Sequence, residues 1–139
     1  MNAGIQTYTN DETVEDMNIR TGELMKGVPE RHPFRVNSFN VIPFELPHTT
    51  YDKEANQLVP CSNYGYLVEH NEIGKLLYMT DFEYSKYNFQ KMNIHHMVIE
   101  CNYCEELVDK TEANYRHRLK GHCSLSTCKQ FIKENRTES

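Results

Sequence analysis

Apolar and polar positions alternate in short stretches along most of this chain, and only near its end do they recur at helical spacing. The opening GIQTYTN has β-formers at Ile5, Thr7 and Tyr8. It ends where Thr9 or Asn10 is suited to cap a short helix through Asp11, Glu12, Val14 and Met17. Residues 20–33, punctuated by Gly22, Gly27, Pro29 and Pro33, read as a loop with one helical turn over 23–26. From Phe34 the pattern is that of strands: PFRVNSF alternates, and FNVIPFELP is an apolar run closed by Pro47 directly before His48. Residues 49–62 read as an insertion or loop.

YGYLVEH and KLLYMTD flank His70-Asn71-Glu72-Ile73-Gly74, where Asn and Gly tolerate positive φ, so an antiparallel hairpin is expected. Another buried strand follows at HHMVIECN, after the turn-like YSKYNFQKMN. Two helices are expected to close the chain, over 105–120 and 125–135. The second has Ser124 as N-cap after the breaker Gly121, and Leu125, Cys128, Phe131 and Ile132 recur on one face that packs on a sheet. Strands with a hairpin, then helices, predict a β-rich α/β layer rather than a self-contained barrel.

The 139 residues fit one domain, and 38% hydrophobic with 25% charged residues is a globular composition. No apolar run approaches the roughly 18 to 20 residues that span a bilayer, and no basic, apolar leader opens the sequence. A cytoplasmic protein without membrane contact is therefore expected. The net charge of -5 offers no general attraction to phosphate backbones, so contact with nucleic acid would have to be local. Five cysteines, an odd number without a secretory leader, favour reduced thiols or metal ligands over a disulfide framework.

Two potential metal ligands stand where a strand gives way to a loop: His48 after NVIPFELP, and Asp81 after KLLYMT. Strand ends hold a side chain rigidly and leave its tip accessible. Taken singly, such a His is more often a surface or hydrogen-bonded residue, and such an Asp is usually a turn former. The order of surrounding features is more specific: F-x-V-x-P-F-x-x-P-H, N-Y-G-Y-L-V, G-K-L-L-Y-M-T-D, I-E-C-N-Y and G-H-C-S. In this order the chain resembles the metallo-β-lactamase fold superfamily of metallo-hydrolases, in its phosphodiesterase and nuclease branch related to YycJ-type proteins and tRNase Z. The resemblance covers almost the whole chain and corresponds to the central-to-late part of the family's fold.

The resemblance implies a partial αββα sandwich with a mostly antiparallel or mixed sheet and flanking helices, divided as 1–33 strand, short helix and loop, 34–104 β-rich region and 105–139 two C-terminal helices. It implies a dinuclear Zn2+ site, with Mn2+ as the alternative, in which His48 matches the third motif and Asp81 the bridging aspartate of the fourth. A neutral imidazole suits zinc, and a carboxylate spans ions roughly 3.5 to 4 Å apart. The second motif, His-x-His-x-Asp-His, is absent from these residues and is expected before residue 1, as the fifth-motif histidine is expected beyond Ser139. With two ligands carried over, metal binding by this chain alone is expected to be weak or absent. The implied activity is hydrolysis of a phosphodiester in a nucleic acid or nucleotide, inactive in the lone chain and completed by a polypeptide that carries the missing motif.

Glu100 and His122 match an acidic strand residue and a Gly-His-x-Ser histidine of the tRNase-like members, which implies that His122 donates a proton or hydrogen bond to a phosphoryl oxygen while Glu100 orients it. The sequence departs from the tRNase pattern His-Glu-Ala-Thr-Phe in reading Ile99-Glu100-Cys101-Asn102-Tyr103. Two other readings stand beside this one. A structural zinc module would use Cys101, Cys104, Cys123 and Cys128, although Cys101 and Cys128 also fit apolar core positions. A non-catalytic binding or scaffold module would keep the fold's surface without its reaction. His95 and His96 are adjacent on a strand and point to opposite faces, so they do not share an ion. The run Arg116-His117-Arg118-Leu119-Lys120 reads as a basic helix face, solvated or facing phosphates.

Overall fold

The computed structural model describes residues 4–17 and 24–137. Among these residues, nine strands and three α-helices follow in the order β1 (Thr7–Thr9), α1 (Asp11–Asp16), β2 (Met25–Gly27), β3 (Phe34–Val36), β4 (Phe39–Glu45), β5 (His48–Asp52), β6 (Gln57–Cys61), β7 (Tyr64–His70), β8 (Gly74–Met79), β9 (His96–Ile99), α2 (Tyr115–Gly121) and α3 (Leu125–Asn135). The central sheet has the order β3-β4-β7-β8-β9, with β1-β2 and β5-β6 as separate pairs. Neighbours in the central sheet are antiparallel except β8 and β9, which run parallel.

Strand periodicity sorts the sheet's side chains into two faces. Ile42, Leu67, Leu77 and Met97 are successive cross-strand partners, and this row faces the core. Leu77, Met79 and Phe82 are completely buried there, beside Phe44, Phe89, Cys123, Cys128 and Phe131. Each such aliphatic or aromatic side chain contributes roughly 1.5 to 3 kcal/mol through burial. The next row, Pro43, Tyr66, Tyr78 and Val98, lies on the opposite face. There Tyr78 is 41% and Val98 48% exposed.

Helix α3 forms where helical spacing places Cys128, Phe131 and Asn135 on the buried face. Its N-cap Ser124 accepts a hydrogen bond from Thr127 N–H, as expected. Asn135 is buried at the other end, donating to the Phe131 carbonyl at 2.9 Å and accepting from Phe89 N–H. The β7–β8 hairpin also forms as predicted, with His70 paired to Gly74. The positive φ falls on Gly74, at 73°, rather than on Asn71. Asn10 caps α1 through Thr13 N–H.

Three local expectations are corrected. The turn of helix expected at 23–26 is instead the strand β2 from Met25, hydrogen-bonded parallel to β1, while Glu23 lies outside the described residues. Tertiary pairing with a neighbouring strand outweighs local helix preference in so short a segment. The presumed loop 49–62 is a β-hairpin, β5–β6, whose β-formers Thr49, Thr50, Tyr51, Leu58 and Val59 pair across a turn with Asn56 at φ 53°. The helix expected over 105–120 is confined to Tyr115–Gly121. Before it, Asp109 accepts from both Thr111 N–H and Thr111 O–H, a local side-chain turn that competes with helix. No helix among the described residues is long and apolar enough to cross a membrane.

Candidate metal centre

Several chain segments meet beyond one end of the central sheet. His48 opens β5 directly after the β4–β5 turn, the end of β8 leads to Asp81, Glu100 follows β9, and His122 follows α2. Backbone hydrogen bonds fasten them: Glu83 N–H donates to the Pro47 carbonyl at 2.9 Å, Glu100 N–H to Met79, and Asn102 N–H to Cys123, each also at 2.9 Å. The structure thus brings all four candidate residues to one rim.

His48 opens β5, and its Nδ1 lies 2.6 Å from the Gly121 carbonyl oxygen. A carbonyl only accepts, so Nδ1 carries a proton, and in the neutral ring the lone pair is on Nε2. That tautomer is the one a metal-binding imidazole needs. Gly121 permits the approach: a Cβ there would stand 3.1 Å from Thr49 Oγ1 and 3.2 Å from His117 Cε1, tight on both sides.

Asp81 sits at φ 52°, a left-handed conformation that Asp tolerates better than most residues. The Asn63 amide holds this turn by donating to the carbonyls of Thr80 and Asp81 at 2.9 and 2.6 Å. The carboxylate is left 59% exposed, with Oδ1 3.8 Å from His122 Nδ1.

Glu100 and His122 form a tighter and drier pair, with side chains only 13% and 14% exposed. His122 Nδ1 lies 2.7 Å from Glu100 Oε1. The same carboxylate accepts from Phe82 N–H at 3.1 Å and from the Asn102 amide at 3.3 Å. Donor atoms of Asp81, Glu100 and His122 all lie within 4.8 Å of one another. Glu100, however, has both oxygens occupied by hydrogen bonds, which suits an orienting acceptor better than a free ligand. Asp81 has the accessible carboxylate.

His117 is a member of this cluster that its sequence context concealed. Its ring centroid stands 5.8 Å from that of His48 and 5.2 Å from that of His122, and the latter two are 5.4 Å apart. Its Nδ1 is buried without a hydrogen-bond partner among the described residues. Burial first, then the neighbouring His122 and His48, holds its pKa below the ordinary imidazole value. Its place in the basic run 116–120 assigns it to a helix face that is solvated or faces phosphates, whereas the fold buries its Nδ1. The available signal was its spacing of one helical turn from Gly121, the residue that α2 presents to His48.

The residues fit a divalent ion by the chemistry of their donors: an imidazole with a free Nε2, an accessible carboxylate and an orphaned buried imidazole nitrogen close by. Nitrogen and oxygen donors of this kind suit zinc or manganese. The thiol alternative does not assemble. Among the described residues, Cys101, Cys104, Cys123 and Cys128 form no converging group of metal donors. Cys123 and Cys128 are instead core residues, and burial pushes the Cys123 thiol up to about 12, away from the thiolate a metal requires. His95 and His96 are also separately engaged, the first by Lys75 N–H and the second with the Ile73 carbonyl.

No family model and no curated protein sequence matches the chain. Solved structures do. The metallo-β-lactamase fold protein YhfI from Bacillus subtilis is similar with a TM-score of 0.59 at 16% identity, over 92% of this chain and 46% of that one. Zn(2+)-bound PqqB from Methylobacterium extorquens gives 0.60 at 13% identity, over 89% of this chain and 48% of that one. Unliganded yeast PDE1 gives 0.55 at 14% identity, over 83% and 36%. The chain spans less than half the length of each of these structures. At such identities the likeness is one of fold, and the chain has the α/β architecture of part of a metallo-β-lactamase fold.

Proposed function

Taking that partial fold as the premise, we propose that the rim holding His48, Asp81, Glu100 and His122 is this chain's share of a metal-dependent site for phosphodiester hydrolysis in a nucleotide or nucleic acid. The observation that carries the reading is the convergence of Asp81, Glu100 and His122 donor atoms within 4.8 Å, with the His48 ring beside His122. His48, through Nε2, and Asp81 are the ligands of a Zn2+ or Mn2+ ion. A bound divalent ion supplies Lewis acidity toward a phosphoryl oxygen and makes water a better nucleophile near neutral pH.

The remaining chemistry belongs to the chain. Glu100 fixes the His122 ring through Nδ1, which leaves Nε2 directed away from the carboxylate and available to exchange a proton with a phosphoryl or leaving oxygen. Backbone and amide donors keep Glu100 itself in place. A dinuclear site needs further donors, and a complementing polypeptide with a His-x-His-x-Asp-His segment is the proposed source. The exposed Tyr78 and Val98 on the open face of the sheet suit cover by such a partner. The free thiols fit a reducing compartment, the cytoplasm.

Titration of metal-stripped protein with Co2+, followed by its visible absorption, tests the assignment. His48→Ala and Asp81→Asn are each expected to weaken binding about tenfold or more. Unchanged affinity in both variants, or loss on replacing Cys101 and Cys104 instead, contradicts it. With the complementing polypeptide present, hydrolysis of bis(p-nitrophenyl) phosphate should follow the same variants. A second reading, a non-catalytic docking module, is favoured by the exposed Tyr78 and Val98, and would be selected by partner binding without turnover.

A further inference from the structure

Beside His117 a cavity of about 370 Å³ lies between the β5–β6 hairpin and α2. Arg116 and Lys120 line it one helical turn apart, both exposed. Neither is among the ion pairs of the described residues, and no carboxylate lines the cavity. This local excess of positive charge contrasts with a net charge of -5 for the chain. Across the cavity, Tyr51 is 51% exposed, and its hydroxyl is hydrogen-bonded to Asn56 across the hairpin turn. The opening therefore offers two cations for phosphate and a tethered aromatic ring for a base, the pairing that single-stranded nucleic acid uses. His117 belongs both to this lining and to the cluster with His48 and His122.

We propose that this cavity binds a flanking nucleotide of a single-stranded nucleic acid whose scissile phosphodiester lies at the His48–Asp81 rim. The inference rests on the phosphodiesterase reading for the position of the cut, and it narrows the substrate. His117 lies between the cavity and the rim, so a molecule that fills both carries a group beyond the phosphate that is cut. Arg116 and Lys120 contact the backbone, and Tyr51 stacks on the base.

Fluorescence anisotropy of a labelled oligothymidylate, with the full chain in EDTA, tests this without metal or turnover. Arg116→Gln with Lys120→Gln is expected to weaken binding about tenfold and to lower the salt slope by about 1.4, as for two single-strand phosphate contacts. Tyr51→Ala, on a different element, should weaken it about tenfold by loss of stacking. Lys129→Gln with Lys133→Gln makes the same change in net charge on α3 and should leave binding nearly unchanged. Absent wild-type binding, equal loss in the α3 variant, no loss in the cavity variants, or equal competition by thymidine monophosphate or inorganic phosphate would each overturn the proposal. Retained phosphodiester hydrolysis with any of these results removes the cavity alone. Oligonucleotide binding that depends on the cavity, without metal-dependent hydrolysis, removes the catalytic reading alone.

Discussion

The histidine-rich rim and the thiol-rich base of α3 contain the same kind of raw material, several side chains able to bind a metal, yet they use it differently. At the rim, polar partners orient the imidazoles: the Gly121 carbonyl accepts a hydrogen bond from His48 Nδ1–H, and the Glu100 carboxylate accepts one from His122 Nδ1–H. At the base of α3, Cys123 and Cys128 face Phe131 and the buried sheet row, where nothing stabilises a thiolate. Burial alone makes a good core residue and a poor ligand. Burial with an oriented hydrogen bond makes a side chain with a defined tautomer and a free lone pair.

The sharpest way to break this contrast is at His122. In protein that hydrolyses bis(p-nitrophenyl) phosphate, His122→Gln is expected to lower the rate by about 10²- to 10⁴-fold, the usual range for loss of a general acid. Measured alongside, the thermal midpoint should move little. A rate within twofold of wild type would reduce the rim to a structural hydrogen-bond network.

A smaller effect is expected where the two regions join. Ser124 follows both His122 and Cys123 and caps α3 through Thr127 N–H at 3.1 Å. Ser124→Ala should cost about 1 kcal/mol in denaturant unfolding. If most of that loss appears instead as weaker metal binding, the helix start is part of the site rather than only its support.

The mildest test concerns ionisation in the thiol region. Burial, followed by the charges of Cys128, Glu100 and Cys101, raises the Cys123 pKa from 9.0 to about 12. The fold therefore favours the protonated thiol, and that contribution is complete below pH 9 and lost as pH rises through about 12. Unfolding midpoints should fall gradually across this window, and less so in Cys123→Ala. At neutral pH an alkylating reagent should modify exposed Cys101 well before Cys123. Rapid labelling of native Cys123 would mean the core opens there.

Local chemistry made several elements legible in the residues. Asn10 and Ser124 are caps because their short side chains reach the first free N–H groups of a helix, and the segment ending at Gly74 is a hairpin because Gly accepts positive φ. The order of motifs also singled out His48, Asp81, Glu100 and His122, and the structure gathers them. β2, the β5–β6 hairpin and the shortness of α2 were not legible, since each depends on pairing or on a side-chain turn that competes with local propensity.

Residue order by itself determined which stretches alternate, where helices start, and which side chains have donors to offer. Only the tertiary structure decided that His117 turns inward, that Cys123 enters the core while Cys101 stays exposed, against its expected core position, and that Glu100 has its oxygens occupied. The physical reason is that ligand geometry and protonation depend on neighbours far away in the chain: His48 acquires its tautomer from Gly121, 73 residues later.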